Sequence, residues 1–140
     1  LPKKKRTPPY ELAKQRLSKL KKQNLCEKGQ EKSYYTELTD ILREYLAGRF
    51  NIFALEMTTA QILDALNSST EAKEHKKLIE EVLQIADYVK FAKVKPLTEE
   101  NTRSYQCVTE FVEHTKPVVT ENDNVKAKSV NQKQAKITKK

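Results

Sequence analysis

The sequence predicts an all-α domain of about five helices in a compact bundle, followed by a disordered basic C-terminal tail. The 140-residue chain holds only two glycines, whereas hairpin turns need residues that tolerate positive φ. Apolar side chains recur at steps of three and four residues over most of the chain, which is the spacing of one helix face. A chain of this length is long enough for one domain with its own core.

The first helix is expected to begin beside Thr7. Its hydroxyl is suited to an N-cap, and Pro8 and Pro9 follow where a missing backbone N–H costs nothing. The helix is expected to run to about Lys28, with Gly29 as its C-terminal stop.

The second helix, over about residues 30–50, has the most regular apolar spacing in the chain and is predicted to be the core helix. Its apolar positions are Tyr34, Tyr35, Leu38, Ile41, Leu42, Tyr45, Leu46 and Phe50. Residues 51–55 are predicted to form a short apolar connection after it.

Capping signals mark the starts of three further helices. The predicted starts are Thr58 with Gln61, Ser68 with Glu71, and Thr98 with the two glutamates after it. The fourth helix is expected to continue to Lys95, since Pro96 disfavours helical backbone in the residue before it. Pro117 is expected to close the last helix.

The chain divides into a basic flank at 1–6, a helical domain at 7–117 and a tail at 118–140. The formal net charge of +8 is carried by the two ends, because residues 1–6 and 117–140 each carry +4 and residues 7–116 are neutral. The tail lacks aromatics and apolar periodicity, so it is expected to bury too little surface to become ordered. A domain that binds duplex DNA usually concentrates cations on its folded surface, which disfavours that function here.

No catalytic, cofactor-binding or metal-ligating residues are predicted, and no cofactor. Cys26 and Cys107 lack the paired spacing of zinc and redox motifs, so they are expected to be free thiols, with a disulfide as the alternative. His75 and His114 lie among polar residues and are expected to face solvent. Two glycines cannot build a phosphate-binding loop. We therefore expect a non-enzymatic protein.

Clustered cations are the first candidate site. The residues predicted to contact an anionic surface are Lys3, Lys4, Lys5, Arg6, Lys14 and Lys21. Lipid headgroups are the favoured partner, because each lysine near an anionic membrane contributes roughly 1 kcal/mol. A solvated charged face, nucleic-acid binding and a nuclear-import signal at PKKKR are the alternatives.

A second candidate is an apolar patch for a protein partner at Phe50, Ile52 and Phe53, beside the connection after the second helix. The alternative is that these side chains pack into the core.

A resemblance to a bacterial family rests on three stretches: PPYELAKQRLSKL (8–20), YYTELTDILREYLAGRFNIFALEMTTAQILDAL (34–66) and ADYVKFAKVKPLTEENTRSYQCVTEFVEHTKP (86–117). They resemble an uncharacterised helical domain on the cytoplasmic side of single-span membrane proteins, similar to the Bat-type proteins of aerotolerance operons that accompany MoxR-like ATPases. The resemblance implies a spanning helix directly before Leu1 and a cytoplasmic location at the inner membrane. It implies no catalytic residues.

The expected function is therefore a cytoplasmic interaction or regulatory domain of a membrane-anchored bacterial protein, which acts by protein–protein contact. A MoxR-like ATPase system is the partner that the resemblance suggests. The alternative is a nucleic-acid-binding protein that uses the basic ends and the first helix, with micromolar or tighter affinity that falls steeply with salt. An enzyme would instead need a concave pocket lined with titratable groups.

Overall fold

The computed structural model describes residues 7–118, which form six helices and no strand. The helices are α1 (Pro9–Gln23), α2 (Glu31–Phe50), α3 (Thr59–Ala65), α4 (Thr70–Glu74), α5 (Lys76–Phe91) and α6 (Thr98–Thr115). Two short 3-10 turns, Ala54–Glu56 and Leu66–Ser68, flank α3. The predicted all-α class is confirmed. The predicted basic flank at 1–6 and all of the predicted tail after Val118 lie outside the described residues.

Helix α2 is the centre of the bundle, because it packs against α1, α5 and α6. Eight of its residues are buried, and they are Tyr34, Tyr35, Leu38, Thr39, Ile41, Leu42, Tyr45 and Leu46. Partner helices contribute the rest of one continuous core, including Leu20 from α1, Ile79 from α5 and Phe111 from α6. Each fully buried side chain of this size stabilises the fold by about 1.5–3 kcal/mol.

Three tyrosines of α2 also tie it to α6 through hydrogen bonds. The Tyr34 hydroxyl donates to the backbone oxygen of Asn101 (3.1 Å), and the Tyr35 hydroxyl donates to the Asn101 side-chain oxygen (2.8 Å). Near the other end of α2, the Tyr45 and Thr115 hydroxyls lie 2.9 Å apart. These bonds satisfy polar atoms inside the core and fix how α6 lies along α2.

The two ends of the bundle contain different segments of the chain. At the first, which we call the terminal end, the Tyr10 hydroxyl donates to the Glu113 carboxylate (2.9 Å) and Arg49 Nε donates to the Thr115 backbone oxygen (2.7 Å). Residues 7 and 118, the limits of the described chain, therefore lie at this end. The opposite end, the groove end, carries residues 24–31 and 92–101.

The start and stop of α1 differ from the sequence prediction. Pro8 rather than Thr7 is the N-cap residue, and no side chain caps this helix. The helix ends at Gln23, five residues early, because Asn24 adopts left-handed backbone with φ 50°. A turn then returns the chain, as the N–H of Gln30 donates to the oxygen of Leu25 (2.8 Å). Asparagine tolerates this backbone better than most residues, so it ends the helix before the predicted glycine does.

The predicted capping box of α3 is confirmed, since Thr58 and Gln61 exchange both expected hydrogen bonds. The predicted cap at Ser68 was wrong by one residue, because Ser69 accepts the hydrogen bond from the N–H of Ala72. The predicted fourth helix is broken at His75, where the backbone leaves helical geometry between α4 and α5.

The ends of the α5–α6 connection also differ from expectation. Helix α5 ends at Phe91 instead of Lys95, since Lys93 adopts left-handed backbone with φ 56°. The N-cap of α6 is Leu97, whose N–H donates to the Glu100 carboxylate (2.8 Å), while Thr98 is the first helical residue.

The hydrogen bond of Tyr35 yields a stability prediction. Tyr35→Phe keeps the ring but leaves the buried Asn101 oxygen without this donor, so we expect the free energy of unfolding to fall by about 1–3 kcal/mol. Urea unfolding measures the change. Tyr88→Phe is the matched control, because Tyr88 is exposed and is expected to change stability by less than about 0.5 kcal/mol. Equal losses in both variants would contradict the role of this bond.

Candidate interaction surfaces

The basic face of α1 is partly neutralised by acidic side chains of its neighbours. Lys14 Nζ lies 3.5 Å from a Glu113 oxygen. Arg16 pairs with Glu37 (2.9 Å) and also with Glu44. Tyr10, and after it Glu113, raises the pKa of Lys14. An anionic polymer approaching this face would therefore meet carboxylates as well as cations.

The structure describes two of the six residues predicted to contact an anionic surface, Lys14 and Lys21. Lys3, Lys4, Lys5 and Arg6 lie outside the described residues. Lys21 is in no ion pair among residues 7–118, and its ammonium lies 5.9 Å from the centre of the Tyr105 ring. Lys14 and Lys21 therefore differ, since only Lys21 keeps a charge without an acidic partner in this part of the chain.

The three residues of the predicted apolar patch have different environments. Ile52 is in the core, because left-handed backbone at Asn51 turns the chain and lets the N–H of Ile52 donate to the Leu46 oxygen (3.2 Å). Phe50 is half-buried, with its ring centre 6.1 Å from that of Phe111. Phe53 alone of the three is strongly exposed. The structure therefore supports core packing for Phe50 and Ile52.

A groove of about 680 Å³ opens at the groove end, between the end of α1, the 24–30 turn and the first half of α6. Its lining from the turn and α2 includes Leu25, Cys26, Glu27 and Tyr34. The lining from α6 includes Thr102, Tyr105, Gln106 and Thr109, and the α5–α6 connection adds Lys95 and Pro96. Sequence reasoning missed this groove, because it forms only where the early end of α1 leaves space beside α6.

The groove walls offer apolar contact and a few polar groups. Thr109 Oγ1 is buried and has no hydrogen-bond partner among the described residues. Burial, followed by the charges of Glu31 and Glu27, raises the pKa of the Cys26 thiol to about 11. Burial likewise raises the pKa of Tyr34 well above its ordinary value. Both groups stay protonated at neutral pH, so the walls are suited to contact and hydrogen bonding rather than to nucleophilic attack.

Beside the groove lies an exposed apolar surface, which we call the apolar corner. It consists of the side chains of Tyr88 (60% exposed), Phe91 (78%), Val94 (48%) and Leu97 (64%). The connection is held in place, since the N–H groups of Ala92 and Val94 both donate to the Tyr88 oxygen and Pro96 is buried.

The position of Phe91 relative to the buried residues of α5 already indicates from the sequence that its side chain is exposed. The prediction from apolar spacing missed this. The buried stripe of α5 includes Val82, Ala86 and Val89. Phe91 comes two positions after Val89, which is about 200° around the helix, so it lies on the opposite side from the stripe. Phe91 is therefore exposed at the end of α5, and Val94 is exposed in the connection that follows.

Two histidines meet at the terminal end. The rings of His75 and His114 are stacked, with centres 4.9 Å apart and planes 8° from parallel. Parallel rings direct their in-plane lone pairs side by side rather than toward one point, which does not suit a shared metal ion. Among residues 7–118 no cluster of three or more metal-ligating side chains occurs.

Comparison of the chain with protein-family models, with curated proteins and with solved structures gave no match. Within residues 7–118, no helix combines the length and the apolar character that a membrane crossing requires.

The thiol of Cys26 gives a reactivity prediction. Relative to an ordinary thiol pKa of 9.0, a value of about 11 lowers the thiolate fraction at neutral pH by about a hundredfold, and the greater nucleophilicity of the thiolate offsets part of this. We expect Cys26 to react with an aromatic disulfide reagent about tenfold more slowly in the folded chain than in the urea-unfolded chain, and faster as the pH rises toward 11. Cys26→Ser and Cys107→Ser assign the two thiols. Equal folded and unfolded rates at Cys26 would contradict the shift.

Proposed function

We propose that the chain is a non-enzymatic interaction domain of a membrane-anchored bacterial protein, located on the cytoplasmic side of the inner membrane and acting by protein–protein contact. The observation that carries the contact function is the groove of about 680 Å³ at the groove end. The membrane setting and the MoxR-like ATPase as partner rest on the family resemblance of residues 8–117.

The arrangement of the two bundle ends supports this function. The described chain begins and stops at the terminal end, where Tyr10 of α1 bonds Glu113 of α6. The groove lies at the opposite end, beside the first turns of α6. A tether that continues from residue 7 would therefore leave the groove facing away from the anchor, where a partner can reach it.

The chemistry of the groove favours recognition over catalysis. Its thiol and its buried tyrosine hydroxyl are protonated at neutral pH, because burial raises the pKa of both Cys26 and Tyr34.

Protein contact is favoured over nucleic-acid binding because of the charges around α1. Arg16 is paired with Glu37 and Glu44, and Lys14 with Glu113. Release of counterions from phosphates requires cations that are free to contact them. Lys19, Lys21 and Lys22 are exposed and in no ion pair among residues 7–118, so only the carboxylates of Glu37, Glu44 and Glu113, which would repel a phosphate backbone, disfavour nucleic-acid binding here.

A groove-filling substitution tests the proposal. Gln106 is exposed and lines the groove, so Gln106→Arg places a long cationic side chain in it without disturbing the core. We expect the affinity for a purified MoxR-like ATPase, measured by titration calorimetry, to fall at least tenfold, which corresponds to about 1.4 kcal/mol.

Gln84→Arg is the matched control, because Gln84 is also exposed on a helix but does not line the groove. It makes the same change of charge and size and is expected to alter the affinity less than about twofold. Absence of binding by the unmodified chain would reject this partner, and equal effects of the two variants would reject the groove.

A further inference from the structure

The apolar corner carries cations as well as apolar side chains. Lys93 lies between Phe91 and Val94 in the chain, and Lys95 lies between Val94 and Leu97. Both lysines are exposed, and neither is in an ion pair among the described residues. The corner therefore presents an apolar surface with two exposed lysines in it that are in no ion pair.

Three carboxylates flank the corner in the chain, at Asp87, Glu99 and Glu100. The Asp87 carboxylate accepts a hydrogen bond from the Thr59 hydroxyl (2.7 Å), and the Glu100 carboxylate caps α6. Glu99 is exposed on the first turn of α6 and is in no ion pair. Residues 88–97 themselves contain Lys90, Lys93 and Lys95 and no acidic residue, so the cations lie among the apolar side chains while the carboxylates lie on either side of them.

The corner is continuous with the groove, since Lys95 and Pro96 line the groove while Val94 and Leu97 flank them as exposed side chains. Because Pro96 is buried and the Tyr88 oxygen accepts two backbone hydrogen bonds, the surface is already formed before any partner arrives. A preformed surface loses little conformational freedom on binding.

We propose that the apolar corner holds an acidic, amphipathic segment of the partner protein. Apolar side chains of that segment would cover Phe91, Val94 and Leu97, and its carboxylates would pair with Lys93 and Lys95. This inference rests on the proposed function and deepens it, because it names the chemistry of the segment that the partner contributes.

Two other occupants fit the corner less well. A second copy of this chain, packed corner to corner, would bring Lys93 and Lys95 of one copy against the same lysines of the other, and like charges in contact oppose association. A flat anionic bilayer could meet the exposed corner, but it could not enter the adjoining groove. The corner also lies at the end opposite Tyr10 and Glu113, away from the membrane side of the proposed function.

Two labelled peptides serve as probes of the charge preference. They share length and the positions of Leu and Phe, and one carries Glu where the other carries Lys at every charged position. We expect the full chain to bind the Glu peptide at least tenfold more tightly than the Lys peptide by fluorescence anisotropy. The double variant Lys93→Glu with Lys95→Glu is expected to reverse that preference. Phe91→Ser is expected to weaken the binding of the Glu peptide at least fivefold.

The matched control is Lys73→Glu with Lys77→Glu, which makes the same change in net charge at exposed positions on α4 and α5. It is expected to change the affinity for either peptide less than twofold at physiological salt. An equal response of the two double variants would overturn the proposal, since the effect would then come from net charge alone. Failure of the unmodified chain to bind the Glu peptide would also overturn it.

Two further measurements exclude the other occupants. Cosedimentation with phosphatidylglycerol vesicles that is lost in Phe91→Ser would overturn the proposal in favour of a bilayer. A dimer in sedimentation that is lost in the same variant would overturn it in favour of a second copy. Absence of vesicle binding and of a dimer supports the proposal.

The proposal for the corner and the proposal for the groove can be rejected independently of each other. Loss of ATPase binding in Gln106→Arg, with no response to Phe91→Ser or to the Lys93/Lys95 variant, would keep the groove and reject the corner. All substituted side chains are exposed, so folding is checked by circular dichroism alone.

Discussion

The rest of the structure depends on the attachment of α6 to α2. These helices are far apart in sequence, and their contact combines a shared apolar core with hydrogen bonds from three tyrosines. The hydroxyls of Tyr34 and Tyr35 bond Asn101 near the start of α6, and Tyr45 meets Thr115 near its end. Apolar contact alone would tolerate small sliding of one helix on another, whereas buried hydrogen bonds at both ends fix one position.

This fixed position produces the two different ends of the bundle. At the terminal end, α6 forms hydrogen bonds with Tyr10 of α1 and with Arg49 of α2. At the groove end, α1 has already stopped at Gln23, so the first turns of α6 face open space. The groove is therefore a consequence of unequal helix lengths around a well-packed core. Tyr34, one of the tyrosines that attach α6 to α2, also lines the groove.

The surfaces differ in how their charges are balanced. The cations of α1 that lie against α2 and α6, Lys14 and Arg16, have acidic partners. Lys93 and Lys95 have none among the described residues and stand among exposed apolar side chains. Cations inside an apolar surface serve recognition better than solubility, because a partner must match both features to cover it.

The sequence by itself determined the all-α class, the central place of α2 and the cap at Thr58, because these follow from local spacing and local hydrogen bonds. It could not determine where α1 and α5 end, since left-handed backbone at Asn24 and Lys93 depends on how the following loop packs. Only the tertiary structure decided which cations are paired and where open surface remains. Those features depend on contacts between side chains that lie far apart in the chain, such as Lys14 and Glu113. No local sequence pattern predicts such contacts.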